Sequence, residues 1–259
     1  MTTTTASPHD LLGTPSIGGN RVWNVVRLGW INRWTTLWIP GIILGFILLV
    51  NVVIWALIVA YAGPADRADT LEGTQYTGAT SYVFVYLMIV AIQAVNLTFP
   101  YALGLSVTRR EFYLGTASSL VLLSLLWGGI LTTLSYIEEW THGWGLGGHM
   151  FTVVYFGNGP VWERLFTFTA GFLFFAFAGI AWGTVYMRWR TNGMLIAGAV
   201  SVLAAVGVVT LLTFTNGWPT FGAWAAAAGP TGIVAWLLIP TAISAVAGYF
   251  LLRRSTPKS

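Results

Sequence analysis

Six long stretches of this sequence carry no ionisable side chain: 39–61, 81–105, 114–137, 165–187, 194–214 and 231–252. Every Asp, Glu, Lys, Arg and His lies outside them. A helix needs roughly 20 residues to cross a hydrocarbon core, and each stretch meets that length. Lipid offers no partner for an unpaired backbone group, and a barrel would show alternating polarity, which is missing here. Only 8% of the chain is charged, against about 25% in an ordinary soluble domain. The expected fold class is therefore all-α integral membrane, with six transmembrane helices.

The charges between the stretches set the expected orientation. With the N-terminus inside, the inner segments hold Arg21, Arg27, Arg33, Arg109, Arg110, Arg188, Arg190, Arg253, Arg254 and Lys258. The outer loops hold only Arg67 and Arg164. Basic residues concentrate on the cytoplasmic side of membrane proteins, so both termini are expected to be cytoplasmic. Residues 1–20 are expected to form a disordered cytoplasmic tail, residues 21–254 one transmembrane domain, and residues 255–259 a short cytoplasmic tail. The expected localisation is the cell membrane, as a multi-pass protein of a bacterial plasma membrane. No cleavable signal peptide is expected, because the first apolar run starts late and is too long for a signal core.

Residues 21–37 read as a helix in their own right. At helical pitch Val22, Trp23, Val26, Trp30, Trp34 and Leu37 share a face, with Arg21, Asn24 and Asn32 opposite and Arg27 at the border. Such a helix suits the membrane plane, with its indoles among the lipid headgroups. The alternative is a plain basic anchor. Pro40 fits a bend into the first span.

Several chemistries are excluded. The single lysine, Lys258, rules out a phosphate-binding G-x-x-x-x-G-K-[ST] loop, so the chain carries no P-loop ATPase. There is no cysteine for a disulfide, a thiolate metal site or a nucleophile. His9, His142 and His149 all lie outside the spans, which disfavours an intramembrane Ser-His protease or a transmembrane haem. The expectation is a non-enzyme with no catalytic residues and no nucleic-acid partner. Glu138, Glu139, His142 and His149 cluster in one outer loop, but their spacing fits no established metal site. Four glycines there suggest flexibility, so a solvated, Trp-anchored loop without metal is expected.

Within the spans, Asn51, Gln93 and Asn96 are the polar residues at mid-depth, and Gln93 and Asn96 are three apart on one expected helix face. They suit either helix-to-helix hydrogen bonds or a polar patch on a translocation path. Small residues recur every four positions at Gly41 and Gly45, at Gly179 and Gly183, and at Gly193, Ala197, Ser201 and Ala205. Such rows let helices approach closely. The last row is the candidate for a tight contact, with another subunit or within the bundle. Pro100 is expected to bend the second span.

The second and third spans are joined by SVTRREFY, residues 106–113, where Thr108 and Glu111 have capping-box spacing. The run ALGLSVTRREFYLGTA, through Leu103–Leu105, Arg109, Arg110, Phe112 and Gly115, together with the six-span pattern over 21–254, resembles a type-2 ABC-transporter permease subunit. The resemblance implies two permease copies, identical or related, paired with a cytoplasmic ABC ATPase subunit. ATP and Mg would then reside on that partner, with no cofactor in this chain. It also implies that Thr108, Arg109, Arg110, Glu111 and Phe112 couple to the ATPase, and that Arg21–Leu37 is a connecting helix on membrane lipid. A short outer hairpin is implied near 215–230. The expected cargo is apolar or amphipathic and moves outward, because the spans lack ionisable groups. A stand-alone secondary transporter or channel, or a non-transporting membrane accessory protein, is the alternative.

Overall fold

The computed structural model describes residues 23, 25–27, 34–104 and 107–254. Among these there is no β-strand, and five helices are long and apolar enough to cross a membrane. A π turn, Trp34–Trp38, leads into α1, Ile39–Tyr61. A short polar α2, Pro64–Gly73, follows. Helix α3, Ser81–Gln93, continues through a π turn, Ala94–Thr98, into α4, Phe99–Gly104. The wide turn has a local cause. Pro100 donates no N–H, and its ring crowds the carbonyl four residues earlier, so the ladder loosens there.

Helix α5, Arg109–Trp140, has 32 residues and is about 48 Å long. Helix α6 is written over Val161–Phe214, but Arg190 breaks it at φ 56°, ψ −147°. That region of backbone space is nearly exclusive to glycine. The chain folds back so sharply that a Cβ on Gly193 would overlap the Trp189 Cβ, whereas residues four apart in a helix keep their Cβ atoms about 5–6 Å apart. Two arms result, and the stretches 165–187 and 194–214 fall on opposite sides of the break. Helix α7, Trp218–Arg254, is broken in the same manner at Gly229, φ 63°, ahead of Pro230. Its first arm is the helical form taken by the segment expected as a hairpin, and Trp224 on it packs edge-on against Trp236 beyond the break, 6.0 Å away.

Small residues set the helix spacing, since lipid gives no hydrophobic drive between helices and close packing must supply the attraction. A Cβ on Gly128 of α5 would overlap Thr169 of α6. On α6, one on Gly179 would meet the Met88 carbonyl oxygen at 2.5 Å, and one on Gly183 would meet the Val95 Cβ at 3.1 Å. Phe84 stacks on Phe172 at 4.3 Å in the layer between α3 and α6. The row Gly193, Ala197, Ser201 and Ala205 behaves differently. Ser201 and Ala205 are exposed, and the neighbouring Gly198 and Gly207 have open space where a side chain would be. Within this chain the row is closely packed only at its Gly193 end.

The segment ahead of α1 also departs from expectation. Trp23 and residues 25–27 are helical, but Val25 and Val26 are buried while Trp23 and Trp34 are exposed, so the expected Trp23–Val26–Trp34 face is split. Arg27 is exposed, and Arg21 and Trp30 lie outside the described residues, as do the two tails. Three aromatic side chains then fix the height of the π turn. Tyr86 donates to the Thr35 carbonyl at 2.7 Å, Trp127 Nε1 to the Thr36 carbonyl at 3.2 Å, and Tyr82 to the Pro40 carbonyl. Trp127 stands about 27 Å along α5 from Arg109. The start of α1 is thus level with the middle of the bundle, and the expected bend at Pro40 from an in-plane helix is replaced by a helix already deep in it.

Candidate functional site

The connection ahead of α5 is built as its residue types require. Thr108 has extended backbone, its hydroxyl accepts from the Glu111 N–H at 3.2 Å, and the Glu111 carboxylate accepts from the Thr108 N–H at 2.9 Å. This reciprocal pair satisfies two helix-end donors. It caps the long helix itself rather than a separate short one. Arg109 Nη1 donates to the Arg253 carbonyl at 2.8 Å, tying this corner to the end of α7. Arg110 is exposed. Phe112 is not a surface anchor: it is 1% exposed and packs against Phe99 with ring centres 5.0 Å apart.

Phe112 also forms part of the wall of a 220 Å³ cavity among α3, α5 and the segment ahead of α1. Thr35, Thr36, Gln93, Thr98, Thr116 and Ser119 supply its polar lining, and Val25, Val90, Leu97, Leu120 and Leu123 the apolar part. Gln93 is there, whereas Asn96 and Asn51 are not. The π turn explains the first separation, because three residues along a wider helix no longer return to the same face. Asn51 turns to its own helix and donates to the Ile47 carbonyl at 2.9 Å. The three amides expected to form one patch are therefore not brought together. A second, apolar groove of 880 Å³ lies between α1 and α5, with Gly41, Gly45 and Trp127 on its walls.

The opposite end of the bundle holds the most elaborate polar structure. Glu138, 1% exposed, accepts from the N–H groups of Met150, Phe151 and Thr152 at 2.9–3.2 Å. It also accepts from the Thr152 hydroxyl at 2.6 Å and from Trp144 Nε1 at 3.1 Å. Five neutral donors thus replace its water. Because that hydroxyl gives its proton to Glu138, the 2.9 Å contact with His149 Nδ1 is one in which His149 donates. Beside it Arg164, 2% exposed, donates to Glu139 at 2.6 Å, Ser135 at 3.3 Å and the Gly159 carbonyl at 2.8 Å. Its guanidinium also lies over the Tyr136 ring at 4.3 Å.

The solvated, flexible loop expected here is replaced by a fixed cap. Its glycines permit tight crossings: Gly143 is at φ 67° with its backbone against Gly148, and a Cβ on Gly148 would overlap the Trp55 ring. Thr80 donates to the Met150 carbonyl at 2.6 Å and Val154 N–H to the Gln75 carbonyl at 3.2 Å, so both connections at this end close into one body. Among the described residues no three His, Asp or Glu side chains are placed to hold a metal ion. Nothing in the residue types around Glu138 and Arg164 distinguished them as buried. The one available signal was two adjacent carboxylates at a helix end with a single cation, Arg164, at the start of the next.

Fold and composition together define an all-helical integral membrane protein. No protein-family model, no curated protein and no solved structure matches the chain.

Proposed function

We propose that the chain is the permease subunit of an ABC-type transporter, moving an apolar or amphipathic cargo outward with ATP hydrolysed by a separate cytoplasmic ATPase. In this reading the chain crosses a bacterial plasma membrane six times, α6 contributing two crossings, with both termini inside. Its second copy packs on the exposed Ser201–Ala205 end of the small-residue row. The ATPase docks at Thr108, Arg109, Arg110 and Glu111.

One observation carries the reading. Phe112 belongs both to the rigidly capped corner at the start of α5 and to the wall of the internal cavity. A push on the corner therefore displaces the wall directly, while the outer cap holds the other end closed. Among the described residues the cavity lining holds no ionisable group, which suits an apolar cargo better than an ion, since ionisable groups mark ion and proton paths.

The test is whether a P-loop ATPase co-purifies with the chain from its native membrane, followed by ATP-driven transport in proteoliposomes. Replacing Arg109 and Arg110 with Glu should abolish association and transport; unimpaired transport by that variant would refute the docking assignment. A non-transporting accessory role is the second reading. It is favoured by the cavity volume of 220 Å³, below the roughly 300 Å³ at which ligand pockets begin. ATPase association without any cargo movement would select it.

A further inference from the structure

The corner where α5 begins and α7 ends encloses a second cavity, of 440 Å³, lined by Arg109, Arg110, Tyr249 and Arg253. Three arginines from two helices line it, and among the described residues no carboxylate does. The Glu111 carboxylate is committed to the Thr108 N–H and hydroxyl at 2.9 and 2.8 Å. Arg109 is held in place through the Arg253 carbonyl, which leaves the rest of its fork for another acceptor. Planar forks of this kind match phosphate oxygens two at a time.

What the phosphate is attached to follows from α7. Ile243, Val246, Phe250 and Arg253 are spaced three, four and three residues apart, which places them on one helix face. All four are exposed, the first three at more than half of their full area. The stripe is apolar for about 10 Å and ends in the basic cavity. Beside the arginines Tyr249 meets the buried Tyr113 edge-on at 5.3 Å.

From this geometry we infer that the corner is a binding site for an anionic glycerophospholipid, its phosphate among Arg109, Arg110 and Arg253 and an acyl chain along Ile243, Val246 and Phe250. Basic pockets between membrane helices hold lipid headgroups by this chemistry. The site rests on the proposed orientation only for which leaflet supplies the lipid, and it is independent of the ATPase. Arg109 and Arg110 are shared with the docking residues and Arg253 is not; because lipid retention is read with no ATPase present, its failure and the failure of the docking assignment are distinguishable.

The experiment uses the purified full chain without any ATPase, in nanodiscs of phosphatidylcholine with about a quarter phosphatidylglycerol in both leaflets. Lipid retained after transfer to mild detergent is counted by native mass spectrometry. The wild type should retain phosphatidylglycerol over phosphatidylcholine. Arg110→Gln with Arg253→Gln should bind it about 30-fold more weakly, equivalent to about 2 kcal/mol at 1.4 kcal/mol per tenfold. The Lys pair at the same positions should recover most of the retention, which shows that the fold survives. Equal retention by wild type and the Gln pair overturns the site. Full displacement of the lipid by millimolar inorganic phosphate overturns the acyl stripe and leaves a free-phosphate site instead. Loss of retention in the Lys pair as severe as in the Gln pair also overturns the charge-based assignment.

Discussion

Glu138→Gln isolates the energetics of the cap over residues 138–164. The carboxylate has two acceptor oxygens and five neutral donors, four of them buried and the Trp144 indole half-buried. Gln keeps one oxygen, best placed where Oε1 now faces the Met150–Thr152 amides and the Thr152 hydroxyl. Its amide group then faces Trp144 Nε1, donor against donor. Leaving that indole unpaired costs about 1–3 kcal/mol, and the remaining bonds lose their charge assistance, worth about a further 1 kcal/mol in all. The sum is about 3 kcal/mol, which corresponds to local opening about a hundredfold more frequent. Hydrogen exchange of the peptide spanning 149–153, read by mass spectrometry in detergent, measures this directly. Protection within about threefold of wild type would refute the claim that Glu138 is the centre of the cap. Unchanged exchange at residues 84–91 in the same sample would show that the loss is local.

Further outcomes follow from the same geometry. Thr108→Ala removes half of the capping box and should lower stability by about 1 kcal/mol in a thermal melt, with Thr108→Ser recovering most of it. Phe112→Ala empties a fully buried ring site and should cost about 3–5 kcal/mol, and it should also uncouple ATP hydrolysis from transport if the corner drives the cavity wall. Gly179→Val drives a side chain into the Met88 carbonyl and should lower the melting temperature and the folded yield, whereas Gly198→Val, placed in open space, should leave both unchanged. Arg190→Gly relieves a backbone conformation suited to glycine and should raise stability by about 1 kcal/mol.

The membrane architecture was legible because it depends on the one property a linear sequence displays best, the length of uncharged runs. Helix α1 has the very bounds of its uncharged stretch, and the break at Arg190 falls in the basic gap between two stretches. The Thr108–Glu111 cap was equally readable, being local chemistry at a fixed spacing. Packing was harder. The Gly179–Gly183 row meets α3, but the equally regular Gly193–Ala205 row is exposed at Ser201 and Ala205, and spacing alone does not distinguish the two. Gln93 and Asn96 were separated by a change of helical pitch that Pro100 imposes from a few residues away. The heights of Thr35 and Thr36 were set by the reach of Tyr86 and Trp127, whose partners are carbonyls and so carry no residue identity to read. The cap around Glu138 was hidden for the same reason, since three of its five donors are main-chain amides.

The three aromatic donors at the start of α1 have a mechanical consequence. Because Tyr82, Tyr86 and Trp127 hold one short backbone segment from two different helices, α1, α3 and α5 are fastened to one another at that level and keep their freedom to tilt towards their ends, where Phe112 stands. The far arm of α6, beyond the sharp corner at Arg190, carries none of these bonds.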